Sequence, residues 1–165
     1  LVNCVGALES DDHVFAEKSL REIDATAIQR AFAINSVPSL LLAKVFQRKL
    51  KSDQTTCFAT LSAKVGSIED NRLGGWYSYR ASKAALNMLI KNISIEWSRN
   101  RQKTVVLAIH PGTTRTDLSA NFLKNFKLQI HEPSASAKNI LHVIDGKSVE
   151  QTGSFYSWNN EPLPW

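Results

Sequence analysis

Residues 73–87 read Leu73-Gly-Gly-Trp-Tyr-Ser-Tyr-Arg-Ala-Ser-Lys-Ala-Ala-Leu-Asn87. After Gly74 and Gly75 a helix is predicted over 77 to about 99, because Leu86, Leu89, Ile90, Ile93 and Trp97 recur at helical spacing as an apolar stripe. Ala81, Ala84 and Ala85 on that helix leave room for another backbone to come close. Tyr79 and Lys83 are four positions apart, so they share one helix face, one above the other. A phenol ordinarily titrates near ~10, and an ammonium beside it favours the phenolate, bringing the phenol toward proton exchange at neutral pH. Tyr/Lys pairs at this spacing are common on solvated helix faces, so the pair gains meaning only from its surroundings.

Upstream, residues 55–61 (Thr-Thr-Cys-Phe-Ala-Thr-Leu) are β-branched and apolar, a strand running into Ser62-Ala-Lys-Val-Gly-Ser67. Downstream, residues 104–109 (Thr-Val-Val-Leu-Ala-Ile) form a continuous apolar run, as in a strand covered on both faces, stopped by His110-Pro111-Gly112. Residues 1–5 read as a short buried strand ending at Gly6, and 9–22 as a polar loop with a turn of helix. Asp24 is placed to cap a helix over 24–50. Pro38 inside it predicts a kink beside Asn35, since proline cannot donate to the carbonyl of Ile34. A carbonyl freed there could hold a water, which leaves Asn35 either in a proton path or in a purely structural place.

Residues 117–127 suggest a short helix or lid, 134–144 a helix ended by Asp145-Gly146, and 153–158 a last strand. This order predicts one α/β domain over 1–165: a Rossmann-like parallel sheet with helices on both faces and ligands beyond the carboxyl ends of the strands.

The 165 residues, 43% apolar, suit one globular core. No run approaches the ~18 apolar residues of a membrane span, no signal peptide opens the chain, and a cytoplasmic protein without membrane contact is expected. Cys4 and Cys57 read as buried free thiols, and no histidine or cysteine spacing suggests a metal. The net charge of +5 is scattered, and the cations of 47–51 suit a helix C-terminus, so nucleic acid is not an expected partner. The chain opens apparently inside a strand and its single methionine is Met88, which predicts a processed product or a piece of a longer reading frame.

Taken together these segments resemble the short-chain dehydrogenase/reductase family, in its C-factor or cell-cell signalling type, along essentially the whole chain. Val2-Asn3-Cys4-Val5-Gly6 resembles the family's Asn-Asn-Ala-Gly segment, and Pro111-Gly112 with Thr116 its Pro-Gly segment beside the nicotinamide. Asn35, Tyr79 and Lys83 match its active-site residues. The resemblance implies NAD or NADP as cofactor and a small carbonyl or alcohol as substrate. Tyr79 would be the acid/base, Lys83 would hold the phenol poised and bond the nicotinamide ribose, and Asn35 would keep a water linking Lys83 to solvent. Asn3, Gly6, Tyr79, Lys83, Pro111, Gly112 and Thr116 would border the cofactor. It also implies a homo-oligomer through the helices at 24–50 and 77–99.

Two departures stand out. The family writes Ser-x-x-Gly before the tyrosine, but the residue three before Gly66 is Ala63; Ser62 is the first candidate for the missing hydroxyl and Ser67 the second. The family's first strands and its Gly-rich phosphate loop have no counterpart, which leaves its strands 4-5-6-7, a truncated C-terminal half. An incompetent fragment that signals or dimerises is therefore the alternative to an enzyme. The loop at 113–133, with Leu118, Phe122, Leu123 and Phe126, either lines the substrate or packs a lid.

Overall fold

A computed structural model describes residues 1–10, 13–123 and 129–165. In chain order the elements are β1 (Val2–Asn3), β2 (Glu9–Ser10), β3 (His13–Val14), α1 (Ala25–Asn35), α2 (Val37–Leu50), β4 (Thr56–Leu61) and α3 (Tyr77–Arg99). There follow β5 (Thr104–His110), β6 (Thr113–Thr114), α4 (Asp117–Leu123), β7 (Ile130–His131), α5 (Pro133–Asp145) and β8 (Ser154–Ser157). β1, β4, β5 and β8 make one sheet in that order, and every pairing is parallel.

Alternation along the strands sends side chains to two apolar clusters on opposite faces. Phe58, Val106, Ala108 and Phe155 pack with Ala43 of α2 and with Leu86, Ile90, Ile93 and Trp97 of α3. Ala59, Val105, Leu107 and Ile109 pack with Ile140 and Val143 of α5. Each of these large side chains contributes roughly 1.5–3 kcal/mol by leaving water. The expected parallel sheet with helices on both faces is what forms. Among the described residues no helix is long and apolar enough to cross a membrane.

Several local expectations change. The helix expected over 24–50 is two helices divided at Ser36, and Pro38 lies in the first turn of α2, where a missing N–H has no intrahelical acceptor to lose. Asp24 does cap α1, accepting from the N–H groups of Thr26 at 3.3 Å and Ala27 at 3.1 Å. The loop at 9–22 contains the antiparallel pair β2–β3 before its 3-10 turn at Leu20–Glu22. β6 and β7 add a two-residue parallel ladder that no local pattern announces.

Only Val2 and Asn3 of the predicted strand 1–5 join the sheet. Asn3 then turns the chain away: its Oδ1 accepts from Val5 N–H at 3.1 Å, and its Nδ2 donates to Ser39 Oγ at 2.7 Å and Thr60 Oγ1 at 3.3 Å. Cys4, expected to be buried, is exposed, because it lies just past this edge strand. Cys57 is half-buried and, like Cys4, a free thiol.

α4 covers Asp117–Leu123 of the helix expected at 117–127; the side chains of Phe122, Leu123 and Phe126 lie outside the described residues. At the far end the Trp165 ring stacks on Phe155 with centroids 5.7 Å apart. Its main-chain oxygen accepts from Ile68 N–H at 3.1 Å, Glu69 N–H at 3.0 Å and Ser67 Oγ at 3.2 Å, which fastens the loop leading toward α3.

Candidate active site

The chain leaves β1 at Cys4, two residues before Gly6, β4 at Ser62 and β5 at Pro111, all at the carboxyl edge of the sheet. The first turns of α3 come to the same edge. Tyr79 is 8% exposed and its ring packs among Leu8, Phe15, Ala27, Ala31 and Ala63, with Trp76 edge-on at 6.1 Å. Lys83 is 3% exposed, and its Nζ lies 5.8 Å from the centre of the Tyr79 ring. The ammonium donates to the main-chain oxygen of Leu61, the last residue of β4, at 3.0 Å.

Burial governs both groups. It pushes the Tyr79 phenol up to about 12 and pulls the Lys83 ammonium down to about 8. The expected depression of the phenol by its cationic neighbour is absent, because removal from water outweighs that attraction. Tyr79 is accordingly a neutral phenol at physiological pH, a group able to give up a proton and not a standing phenolate.

Asn35, 2% exposed at the end of α1, is fully engaged. Its Oδ1 accepts from Ala7 N–H at 2.7 Å, and its Nδ2 donates to Ala7 O and Ser82 Oγ, both at 3.0 Å. Ser82 in turn donates to the main-chain oxygen of Tyr79 at 2.8 Å. A chain of hydrogen bonds thus runs from the Gly6–Ala7 turn through α1 to the turn of α3 that carries Tyr79. A Cβ built on Gly6 would sit 3.1 Å from Lys83 Nζ and 3.4 Å from Asn35 Oδ1. Gly6, Asn35 and Lys83 therefore border one small space, and an added Cβ there would oblige the ammonium to shift by a few tenths of an ångström.

The serines are engaged elsewhere. Ser62, 3% exposed, donates to Asn87 Oδ1 at 2.6 Å, while Asn87 Nδ2 donates to Gly66 O at 3.4 Å. Ser67 donates to Trp165 O and accepts from Asp70 N–H at 3.1 Å. Ala63 of this turn lies in the apolar cluster of Tyr79, with Val65 packed against it. The turn is held against α3 by Gly66, where an added Cβ would come within 2.7 Å of Lys83 Cβ.

Of the remaining candidates, Asn3 has its amide bonded to Ser39 and Thr60 beneath the sheet edge. Pro111 O accepts from Ser136 Oγ at 3.3 Å. Gly112 has φ +76°, and a Cβ there would lie 2.8 Å from Trp158 Cδ1 and 2.9 Å from His131 Cδ2. Thr116 is exposed beyond β6, and its N–H donates to Ser119 Oγ at 3.1 Å. His110, at the end of β5, is pulled down to about 4, first by burial and then by Lys64 and His131. Ser82, Asn87 and the Leu61 carbonyl carry much of this geometry without having been picked out by sequence. Ser82 had a visible signal in standing between Tyr79 and Lys83; a main-chain oxygen has none.

The model of the short chain dehydrogenase family matches residues 1–126. C-signal of Myxococcus xanthus is 31% identical over 147 residues, spanning 89% of this chain and 84% of that protein. 1-hydroxy-2-glutathionyl-2-methyl-3-butene dehydrogenase of Rhodococcus sp. (strain AD45) is 32% identical over 143 residues, 87% of this chain and 61% of that protein. Among solved structures, the carbonyl reductase Sniffer of D. melanogaster superposes with a TM-score of 0.80 at 24% identity, over 99% of this chain and 66% of that one. The chain thus spans about three fifths of the Rhodococcus enzyme and about two thirds of the reductase. With a family match over most of its length and a fold shared with a carbonyl reductase, this chain belongs to the short-chain dehydrogenase family.

Proposed function

We propose that the chain carries the proton-transfer half of an NAD(P)-dependent oxidoreductase acting on a small carbonyl or alcohol. The observation that bears most weight is the shared space of Gly6, Asn35 Oδ1 and Lys83 Nζ beside the ring of Tyr79. A neutral phenol carries the proton that a carbonyl reduction needs; burial makes that proton harder to release, and the Lys83 ammonium, 5.8 Å from the ring centre, works the other way by favouring the phenolate left behind. Tyr79 donates its proton to the carbonyl oxygen of the substrate and removes that proton in the alcohol direction. Lys83, with Leu61 O occupying one of its three N–H groups, has donors left for ribose hydroxyls and keeps positive charge beside the reacting oxygen. Asn35 holds the Gly6–Ala7 turn and, through Ser82, the turn bearing Tyr79. Ser62, the first candidate for the hydroxyl that orients a substrate oxygen, donates to Asn87 and thereby braces the strand exit.

These donors fit the ribose and nicotinamide end of the cofactor, with Gly6, Lys83, Pro111, Gly112 and Thr116 as its border. When bound, that cofactor supplies the hydride. None of the seven glycines belongs to a phosphate-cradling loop at a helix N-terminus. Titration of the chain with NADH and with NADPH, followed by fluorescence, is expected to give saturable binding to at least one; binding to neither removes the catalytic reading for this chain. In a turnover-competent form Tyr79→Phe is expected to abolish reduction with cofactor affinity nearly unchanged, and retained turnover would contradict the assigned acid.

A second reading, a signalling or dimerising protein without catalysis, is favoured by the 84% of C-signal that this chain spans. Val37, Leu40, Leu41 and Val45 of α2 and Met88 of α3 are exposed, and they suit an isologous helix pairing between two copies. Sedimentation of the purified chain tests that pairing, and a monomer at all concentrations would end it.

A further inference from the structure

We infer that Glu17 is a positioning residue for the helix that carries Tyr79 and Lys83, serving as its N-cap from a distant loop. This deepens the proton-transfer reading of that pair and rests on it for its functional meaning. A helix start leaves backbone N–H groups without intrahelical partners, ordinarily met by a short polar side chain at the N-cap. α3 has no such side chain. Its N-cap is Trp76, held at φ 51° after two further left-handed residues, Gly74 and Gly75, and an indole offers no acceptor.

The segment Phe15–Glu17 fills the role. Tyr79 N–H donates to Phe15 O at 3.0 Å, and Trp76 N–H donates to Glu17 O. Ser78 N–H donates to Glu17 Oε2 at 3.0 Å, and Ser78 Oγ donates to Glu17 Oε1. Glu17 is 4% exposed and Ser78 fully buried, so no water competes for these bonds. A carboxylate there also meets the positive end of the helix dipole. Because Tyr79 follows Ser78 directly and gives its own N–H to Phe15, the carboxylate sets where the phenol begins its reach.

Hydrogen exchange of the intact chain by NMR, alone and as Glu17→Ala, Glu17→Gln and Glu17→Asp, tests this without any turnover. Glu17→Ala is expected to accelerate exchange about tenfold at Ser78 and Tyr79 while Leu86 to Trp97 keep their protection. The ultraviolet titration of Tyr79, assigned with Tyr79→Phe, should fall from about 12 as the first turn opens. Glu17→Gln, which keeps an acceptor for Ser78 N–H, is expected to give a smaller acceleration at the same two amides and serves if Glu17→Ala does not fold. Glu17→Asp should restore much of the protection. Unchanged exchange at Ser78 and Tyr79, or equal acceleration along all of α3, overturns the proposal. Failure of nucleotide binding would remove the catalytic reading and leave these readouts untouched.

Discussion

Lys83→Met removes a buried charge and keeps most of the side-chain volume. Burial pulls the Lys83 ammonium down to about 8, against 10.5 for an unconstrained lysine. Between those values the unfolded chain holds a proton at this position that the folded chain has released. Stability therefore rises with pH across that window, and below it the charged amine costs the fold its full desolvation. From about pH 8 to about pH 9.5, at ~1.36 kcal/mol per unit, the gain is about 2 kcal/mol. Tyr79, pushed up to about 12, and Cys57, pushed up to about 11, act with the opposite sign, because the folded chain retains protons that the unfolded chain has lost. Both groups are present in either protein, so the difference between wild type and K83M cancels them to first order. Urea denaturation followed by circular dichroism, at about pH 7 and about pH 9.5, reads that difference. Wild-type stability relative to K83M should rise by about 2 kcal/mol on going to the higher pH, or about 4–8 °C in relative melting temperature for a domain of this size. A difference constant to within about 0.5 kcal/mol would refute the reasoning, since the amine would then be as well solvated folded as unfolded.

Asn35→Ala deletes the acceptor for Ala7 N–H and the donor to Ser82, leaving buried partners unsatisfied; a loss of about 2–3 kcal/mol in urea denaturation is expected, and less than about 0.5 would mean that water replaces the amide. With a chromogenic disulfide reagent at neutral pH, exposed Cys4 should react quickly and Cys57 slowly, since burial both hides that thiol and pushes it up to about 11; two equally fast thiols would contradict the packing of β4.

The elements that could be read from the chain are those whose cause is local. α3 announces itself by the spacing of Leu86, Ile90, Ile93 and Trp97, and β5 by an unbroken apolar run, because both patterns exist to bury a face. Pro38 misleads because the same residue can kink one helix or open the next, and the choice depends on whether Ser36 packs inward, which it does, donating to Ser82 O at 2.7 Å. The short ladders β2–β3 and β6–β7 depend on tertiary placement and have no period of their own. At the candidate site the spacing of Tyr79 and Lys83 is plain in the sequence, but their protonation is not, since it follows from how much water the folded chain excludes. Glu17 and Ser78 stand 61 positions apart, so their bond leaves no trace in either neighbourhood.

β1 has a consequence for the order in which this molecule comes apart. Two residues of ladder hold it, together with a knot of amide and hydroxyls from Asn3, Ser39 and Thr60 and the bonds of Leu1 to β4, its ammonium donating to Cys57 O at 2.7 Å and its oxygen accepting from Ala59 N–H at 2.9 Å. Gly6, against which the lysine amine lies, belongs to the loop immediately after that short edge strand. Fluctuations that peel the edge away would open the chamber around the amine to solvent while the two apolar cores remain intact. The surroundings of Lys83 are thus expected to open before the two apolar clusters do, so that a preparation would still look folded by its helices after the lysine had met water.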